Sequence, residues 1–119
     1  MEQRTHLAID PRLVGLVEEL GEGTSRVSLA CLPEMAADAR GLVHGGFTFG
    51  LADYAAMVAV NDPNVVLGGA EVRFLAPVRV GQRLVADAKV GEAKGRKRVV
   101  SVSVDAGAGG GGGGAPTPG

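Results

Sequence analysis

At 119 residues the chain has room for one domain with one hydrophobic core, so a single site carries whatever function there is. Twelve Lys plus Arg against 13 Asp plus Glu leave a formal charge of -1, and no overall field gathers nucleic acid or an anionic membrane surface. The aromatic rings are Phe47, Phe49, Phe74 and Tyr54, with no Trp, so stacking platforms for single strands are scarce and nucleic-acid binding is set aside. No apolar run reaches the ~18 to 20 residues of a membrane span. The single Cys31 has no partner for an internal disulfide, and no signal-type apolar run follows Met1–His6, which together predict a cytoplasmic protein. Cys31 itself, in an apolar stretch, reads as a core residue. A domain this small buries roughly two-thirds of the surface its unfolded chain exposes, so a partner subunit would add appreciably to stability.

In chain order, Leu13 to Leu20 and Arg26 to Leu32 read as a strand pair around Gly21-Glu22-Gly23, with a short helix after Asp10-Pro11 competing for the first segment. Gly46 to Val60, rich in Ala and Leu and closed by Asn61-Asp62-Pro63, predicts one helix that is apolar nearly all round and hence buried. Ala70, Val72, Phe74 and Ala76 alternate with Glu71, Arg73 and Leu75 as a strand, broken by Pro77 and Gly81. Leu84 to Val90 alternates in the same way, Gly91 to Gly95 reads as a hairpin turn, and Val100, Val102 and Val104 interleave with Ser101, Ser103 and Asp105. Strands flanking one enclosed helix describe an α+β domain, residues 1–106, with an antiparallel sheet wrapped around the helix. The remainder, Gly107 to Gly119, holds six consecutive glycines and reads as a flexible tail.

Two features carry chemistry. Gly41-Leu42-Val43-His44-Gly45-Gly46 runs into the buried helix, placing glycines where backbone N–H groups lack intrahelical acceptors, a ready oxyanion site or simply a tight turn. Asp53 lies among Leu51, Ala52, Ala55, Ala56 and Val58, where a carboxylate is costly unless paired or partly hydrated; desolvation there would raise its basicity. Outward projection or a bond to a neighbouring loop would account for it equally well. Gly50, at a cost of roughly 1 kcal/mol to the helix relative to Ala, predicts close packing on that face. Gly46 and Asp53 are seven residues apart and share a face, yet ~10 Å separates them along the axis. A two-fold dimer that sets one helix N-terminus against the other chain's Asp53 would bring both to one carbon. No His or Cys spacing marks a metal site.

Gly41-Leu42-Val43-His44-Gly45-Gly46-Phe47, then Leu51-Ala52-Asp53, Phe74-Leu75-Ala76-Pro77 and Val80-Gly81-Gln82-Arg83-Leu84, together resemble the hotdog-fold acyl-CoA thioesterases of the phenylacetate-pathway type, over about residues 13 to 105. The resemblance implies a homodimer, often paired again into a tetramer, that hydrolyses an acyl-CoA with no cofactor beyond the coenzyme A of its substrate. It implies Asp53 as nucleophile or general base, the Gly45 N–H as the group polarising the thioester carbonyl, and His44 as a residue that shapes the turn and lines the site. Gly46, Asp38, Arg96 and Arg98 are the expected substrate contacts, the two arginines through a phosphate of coenzyme A. The chain departs from the family pattern in two places. Asp38 stands where the family commonly has Asn, and an ionised Asp cannot donate a hydrogen bond; near the other chain's Asp53 it would raise that residue's pKa. The glycine tail stands where the family has one more strand. A non-catalytic acyl-CoA binding or sensing module is the alternative on the same scaffold. A hydratase would want a catalytic His in a second motif, which His6 and His44 do not supply.

Overall fold

Asp10 accepts the Arg12 N–H at 2.9 Å and Pro11 takes the first helical position, which starts a single turn, α1 (Pro11–Val14). Gly15 ends it at φ 117°; a Cβ there would lie 2.6 Å from Val27 Cγ1 and 2.8 Å from the Ser28 carbonyl oxygen, so only glycine lets the chain drop onto the sheet at this point. The helix therefore claims Leu13 and Val14, and strand β1 begins at Leu16 (Leu16–Gly21). It pairs with β2 (Thr24–Ala30) across the Glu22-Gly23 turn. A 3-10 turn over Pro33–Met35 follows, then the long helix α2 (Gly45–Val60) and strands β3 (Arg83–Lys94) and β4 (Lys97–Ala106). The computed structural model describes residues 1–69, 76–95 and 97–106. Most of the strand expected over Ala70 to Ala76, the whole glycine tail and Arg96 lie outside the described residues.

The sheet runs β1-β2-β3-β4, antiparallel at every pair. The five-residue turn expected over Gly91 to Gly95 is instead mostly strand: β3 continues to Lys94, and Lys94 pairs with Lys97. A register shift between Val90 and Ala93 absorbs the break in alternation, and Gly95, at φ 61°, takes the left-handed conformation where β3 has ended.

Leu84, Ala86 and Ala88 point to one face with Val27 and Leu29, and against them pack Leu51, Tyr54, Ala55, Val58 and Ala59 of α2. Each large apolar side chain fully buried there contributes about 1.5–3 kcal/mol. Ser25 donates from Oγ to the Ala55 carbonyl at 2.6 Å, so its hydroxyl is satisfied inside the core. This helix on a curled antiparallel sheet is the α+β hotdog architecture expected. The helix is not buried all round: Phe49, Ala52, Asp53, Ala56 and Val60 are half-buried along a concavity that opens towards β4. Cys31 is a core residue, and burial pushes its thiol up to about 11.

Asn61 stops α2 in the left-handed conformation, φ 56°, its N–H returning to the Met57 carbonyl. Its buried side chain accepts the Arg4 N–H at 2.7 Å and donates to the Glu2 carbonyl at 2.8 Å, while Gln3 Nε2 donates to the Tyr54 hydroxyl at 3.0 Å. Glu2, Gln3 and Arg4 are thereby strapped along the C-terminal half of α2. Among the described residues no helix is long and apolar enough to cross a membrane.

Candidate active site

The turn into α2 is held from both sides. The Val43 N–H donates to the Val78 carbonyl at 2.7 Å and the Val80 N–H to the Gly41 carbonyl at 2.8 Å; on the other side the His44 N–H donates to the Met35 carbonyl at 2.9 Å. Gly41 needs its glycine for φ 78°. Gly46 needs its own for a different reason: a Cβ at that position would lie 2.9 Å from His44 Nε2 and 3.0 Å from Cδ2, so the imidazole occupies the space a side chain would fill. His44 is the N-cap residue but makes no side-chain capping bond; its ring rests edge-on against Phe47, centroids 6.3 Å apart. Gly45 and Gly46 are the first two residues of the helix, so their N–H groups have no acceptor within it and sit at the positive end of its dipole.

Two turns further on, Asp53 is half-buried as a residue, but its Oδ1 is shut away from solvent with no hydrogen-bond partner among the described residues. Desolvation raises its pKa above the ordinary carboxylate value, and the charge of His6 opposes that rise. Asp53 borders a concavity of about 1550 Å³ walled by Phe49, Ala52, Ala56 and Val60 of α2 and by Val100, Val102 and Val104 of β4. Lys97 and Arg98 stand on the same wall, so one of the two expected arginines shares a cavity with Asp53; Arg96 falls outside the described residues.

The remaining site residues are placed elsewhere. His44, Gly45 and Gly46 do not border the Asp53 cavity, which reaches up α2 only as far as Thr48. Asp38 is taken up locally: it accepts from Arg40 Nε at 3.0 Å, from an Arg40 terminal nitrogen at 2.7 Å and from the Arg40 N–H at 2.9 Å. The Arg40 guanidinium holds its carboxyl below the usual carboxylate range. Asp38 is thus half of an ion pair, not the bare charge the sequence suggests. At Gly50 a methyl would meet nothing within 4 Å, so the close packing expected there is not supplied by the described residues. Among the described residues no three His, Cys, Asp or Glu side chains converge as a metal site would require.

Comparison with known proteins adds five results. Residues 40–112 match the family model of the thioesterase superfamily. A 100-residue stretch, 84% of the chain, is 52% identical to methylthioribose-1-phosphate isomerase of Aquifex aeolicus, and 69 residues, 57% of the chain, are 36% identical to transcription factor FapR of Shouchella clausii. The chain spans 22% of the first and 36% of the second, a minor part of either relative. Among solved structures, the uncharacterized protein PH1136 of Pyrococcus horikoshii superposes with a TM-score of 0.86 at 58% identity, covering 87% of this chain and 80% of that one. A variant of the phenylacetic acid degradation protein PaaI of Thermus thermophilus superposes at 0.69 with 29% identity, covering 77% and 80%. Since residues 40–112 contain the whole of α2 together with β3 and β4, the chain belongs to the thioesterase superfamily.

Proposed function

We propose that the chain hydrolyses acyl-CoA thioesters at a site shared across a homodimer, with no cofactor beyond the coenzyme A of its substrate. The observation that carries this reading is Asp53: a carboxylate oxygen buried without a partner among the described residues, beside a large cavity, is costly to keep and suited to chemistry. Acting as general base, it takes a proton from water as the water oxygen attacks the thioester carbon. The carbonyl oxygen gathers negative charge against the Gly45 N–H at the positive end of α2, the C–S bond breaks, and the coenzyme A thiolate leaves and is protonated. Acting as nucleophile, the same carboxylate attacks the thioester carbon and expels the coenzyme A thiolate, which is protonated, to leave an acyl-enzyme anhydride that water opens; attack of that water on the aspartyl carbon labels Asp53 in a single turnover in heavy-oxygen water, which the general-base route never does.

Gly45 and Asp53 are about 12 Å apart along the helix axis, further than one carbonyl can reach. A two-fold partner running in the opposite direction would bring its Asp53 against this chain's Gly45-Gly46 turn and explain the open face at Gly50. The valines of β4 and the alanines of α2 would line the acyl chain, and Lys97 and Arg98 offer cations to coenzyme A phosphates. The test is thiol release over a panel of short, medium, aromatic and hydroxylated acyl-CoAs. A second reading, a binding module without turnover, rests on the 36% identity to a protein named as a transcription factor. Tight acyl-CoA binding with no thiol release across the panel would select it.

A further inference from the structure

We propose that a small cavity between the N-terminal arm and β1 binds an uncharged molecule, a chain or ring of about six to eight carbons that carries one hydroxyl or carboxamide head. Asp53 does not border this cavity, so the site is separate from the reaction proposed above.

The arm is held in place around it. Asn61 clamps Glu2 and Arg4, Gln3 Nε2 donates to the Thr5 carbonyl at 2.9 Å, and the hydroxyl of the buried Thr5 pairs with His6 Nδ1 at 2.9 Å. His6 then turns the chain at φ 54°, a conformation that an L-residue keeps when its surroundings impose it and that recurs where ligands are held. Beyond the turn, Leu7 and Ile9 border the cavity from the arm, Leu16 and Val17 from β1, and Tyr54 from α2.

The apolar part of the ligand follows from size and exposure. The cavity measures about 290 Å³. That is near the lower end of the ~300–1,000 Å³ of ligand pockets and about twice the ~150 Å³ that admits benzene, which leaves room for a short chain or one ring with its head. Leu7, Ile9 and Leu16 are large apolar side chains left exposed around this one hollow, and a ligand seated there would cover them.

The head follows from hydrogen bonds that the arm leaves unmade. The Thr5 carbonyl can only accept, so the Gln3 atom facing it is the amide nitrogen, and the same nitrogen donates to the Tyr54 hydroxyl at 3.0 Å. The hydroxyl therefore accepts from Gln3, and its own proton has no acceptor among the described residues. Tyr54 is 7% exposed, so bulk water does not freely supply one. Gln3 Oε1 in turn has no donor among the described residues. A hydroxyl or carboxamide can satisfy both at once, accepting from Tyr54 and donating to Gln3. No Lys, Arg, Asp or Glu borders the cavity, so a charged head would find no fixed counter-ion of those types there.

The experiment titrates 1-hexanol, hexanamide and, as the charged comparison, hexanoate into the full chain, read by NMR at the Leu7 and Leu16 methyls and the Tyr54 ring. Saturable shifts centred on these groups are expected for the neutral probes, with hexanoate weaker by ~10-fold, about one lost hydrogen bond's worth. Binding of one neutral probe alone would support the site and assign its head. Tyr54→Phe removes the donor and should weaken binding by ~3–10-fold. Because that change also releases Gln3, Leu7→Ser, at an exposed position, supplies a second variant that leaves the core untouched and should weaken binding by a similar factor. The proposal is overturned if neither neutral probe gives saturable shifts, or if the shifts centre on Val100, Val102 and Val104 of the Asp53 cavity. Hexanoate binding as tightly as hexanol would overturn it too, as would unchanged affinity in folded Leu7→Ser.

Discussion

Replacing Gly46 with Ala sets two effects of a helix-start glycine against each other. On propensity alone, Ala strengthens a helix by roughly 0.5–1 kcal/mol. Against that, the new Cβ would stand 2.9 Å from His44 Nε2 and 3.0 Å from Cδ2, where contacts of about 3.5–4.0 Å are comfortable. The obstacle is a side-chain ring that makes no capping bond, so it can swing by about 1 Å, weakening its edge contact with Phe47. An aromatic pair of that kind is worth about 0.5–1.5 kcal/mol, so the two terms nearly cancel. The melting temperature should stay within about 5 °C of wild type, since 1 kcal/mol moves a domain of this size by about 4–8 °C. Activity has no such compensation. A displaced ring and an added methyl crowd the N–H groups proposed to receive the oxyanion, and loss of one such donor costs ~10²–10³ in turnover. Thiol release on the best substrate of the acyl-CoA panel, with melting curves on the same samples, should show kcat/KM down by about 10² at nearly constant stability. Wild-type kcat/KM in a folded Gly46→Ala protein would refute the oxyanion role of this turn.

Asp53→Asn should lower kcat by ~100-fold or more with little change in KM, measured by the same assay. Because burial raises the Asp53 pKa, the folded chain holds that proton more tightly than the unfolded one, and ionisation above the raised value weakens the fold. The Asn variant should therefore melt above wild type at pH 8, with the gap closing as pH falls through the folded-state value. Asp38→Asn should leave the acid limb of the pH–rate profile in place, because Arg40 already neutralises that carboxylate; a shift of the limb to lower pH would show that its charge does reach Asp53. Leu51→Ala, at a fully buried position between α2 and the sheet, should cost about 2–5 kcal/mol in urea denaturation.

What could be read without coordinates followed from local patterns. Val100, Val102 and Val104 alternate with polar residues and pack as expected, and Asp53 stood out because a carboxylate in an apolar helical run is anomalous in any fold. The N-terminal arm was not legible: Glu2 to His6 have no periodicity, and their partners, Tyr54 and Asn61, lie some fifty positions away. Gly91 to Gly95 imitates a turn through its glycines and charges, while the pairing that makes it strand as far as Lys94 is set by the opposite chain segment. Which side of α2 is open could not be told from residues that are apolar on every side, and nothing local announces that Gly46 makes room for His44.

The bonds that hold the turn before α2 also set an order of events. Two of them join Gly41 and Val43 to Val80 and Val78, dozens of positions further along the chain, and closing so long a loop costs entropy before any contact offsets it. The helix could form early from its own residues, but its first N–H groups acquire a fixed direction only after the segment around Val78 has docked. During synthesis the chain would therefore pass through a stage with α2 present and the oxyanion site undefined. In the mature protein, fluctuations that undock Val78 to Val80 would blunt the site while leaving the core packed, and amide exchange at Val43 and Val80 would report them.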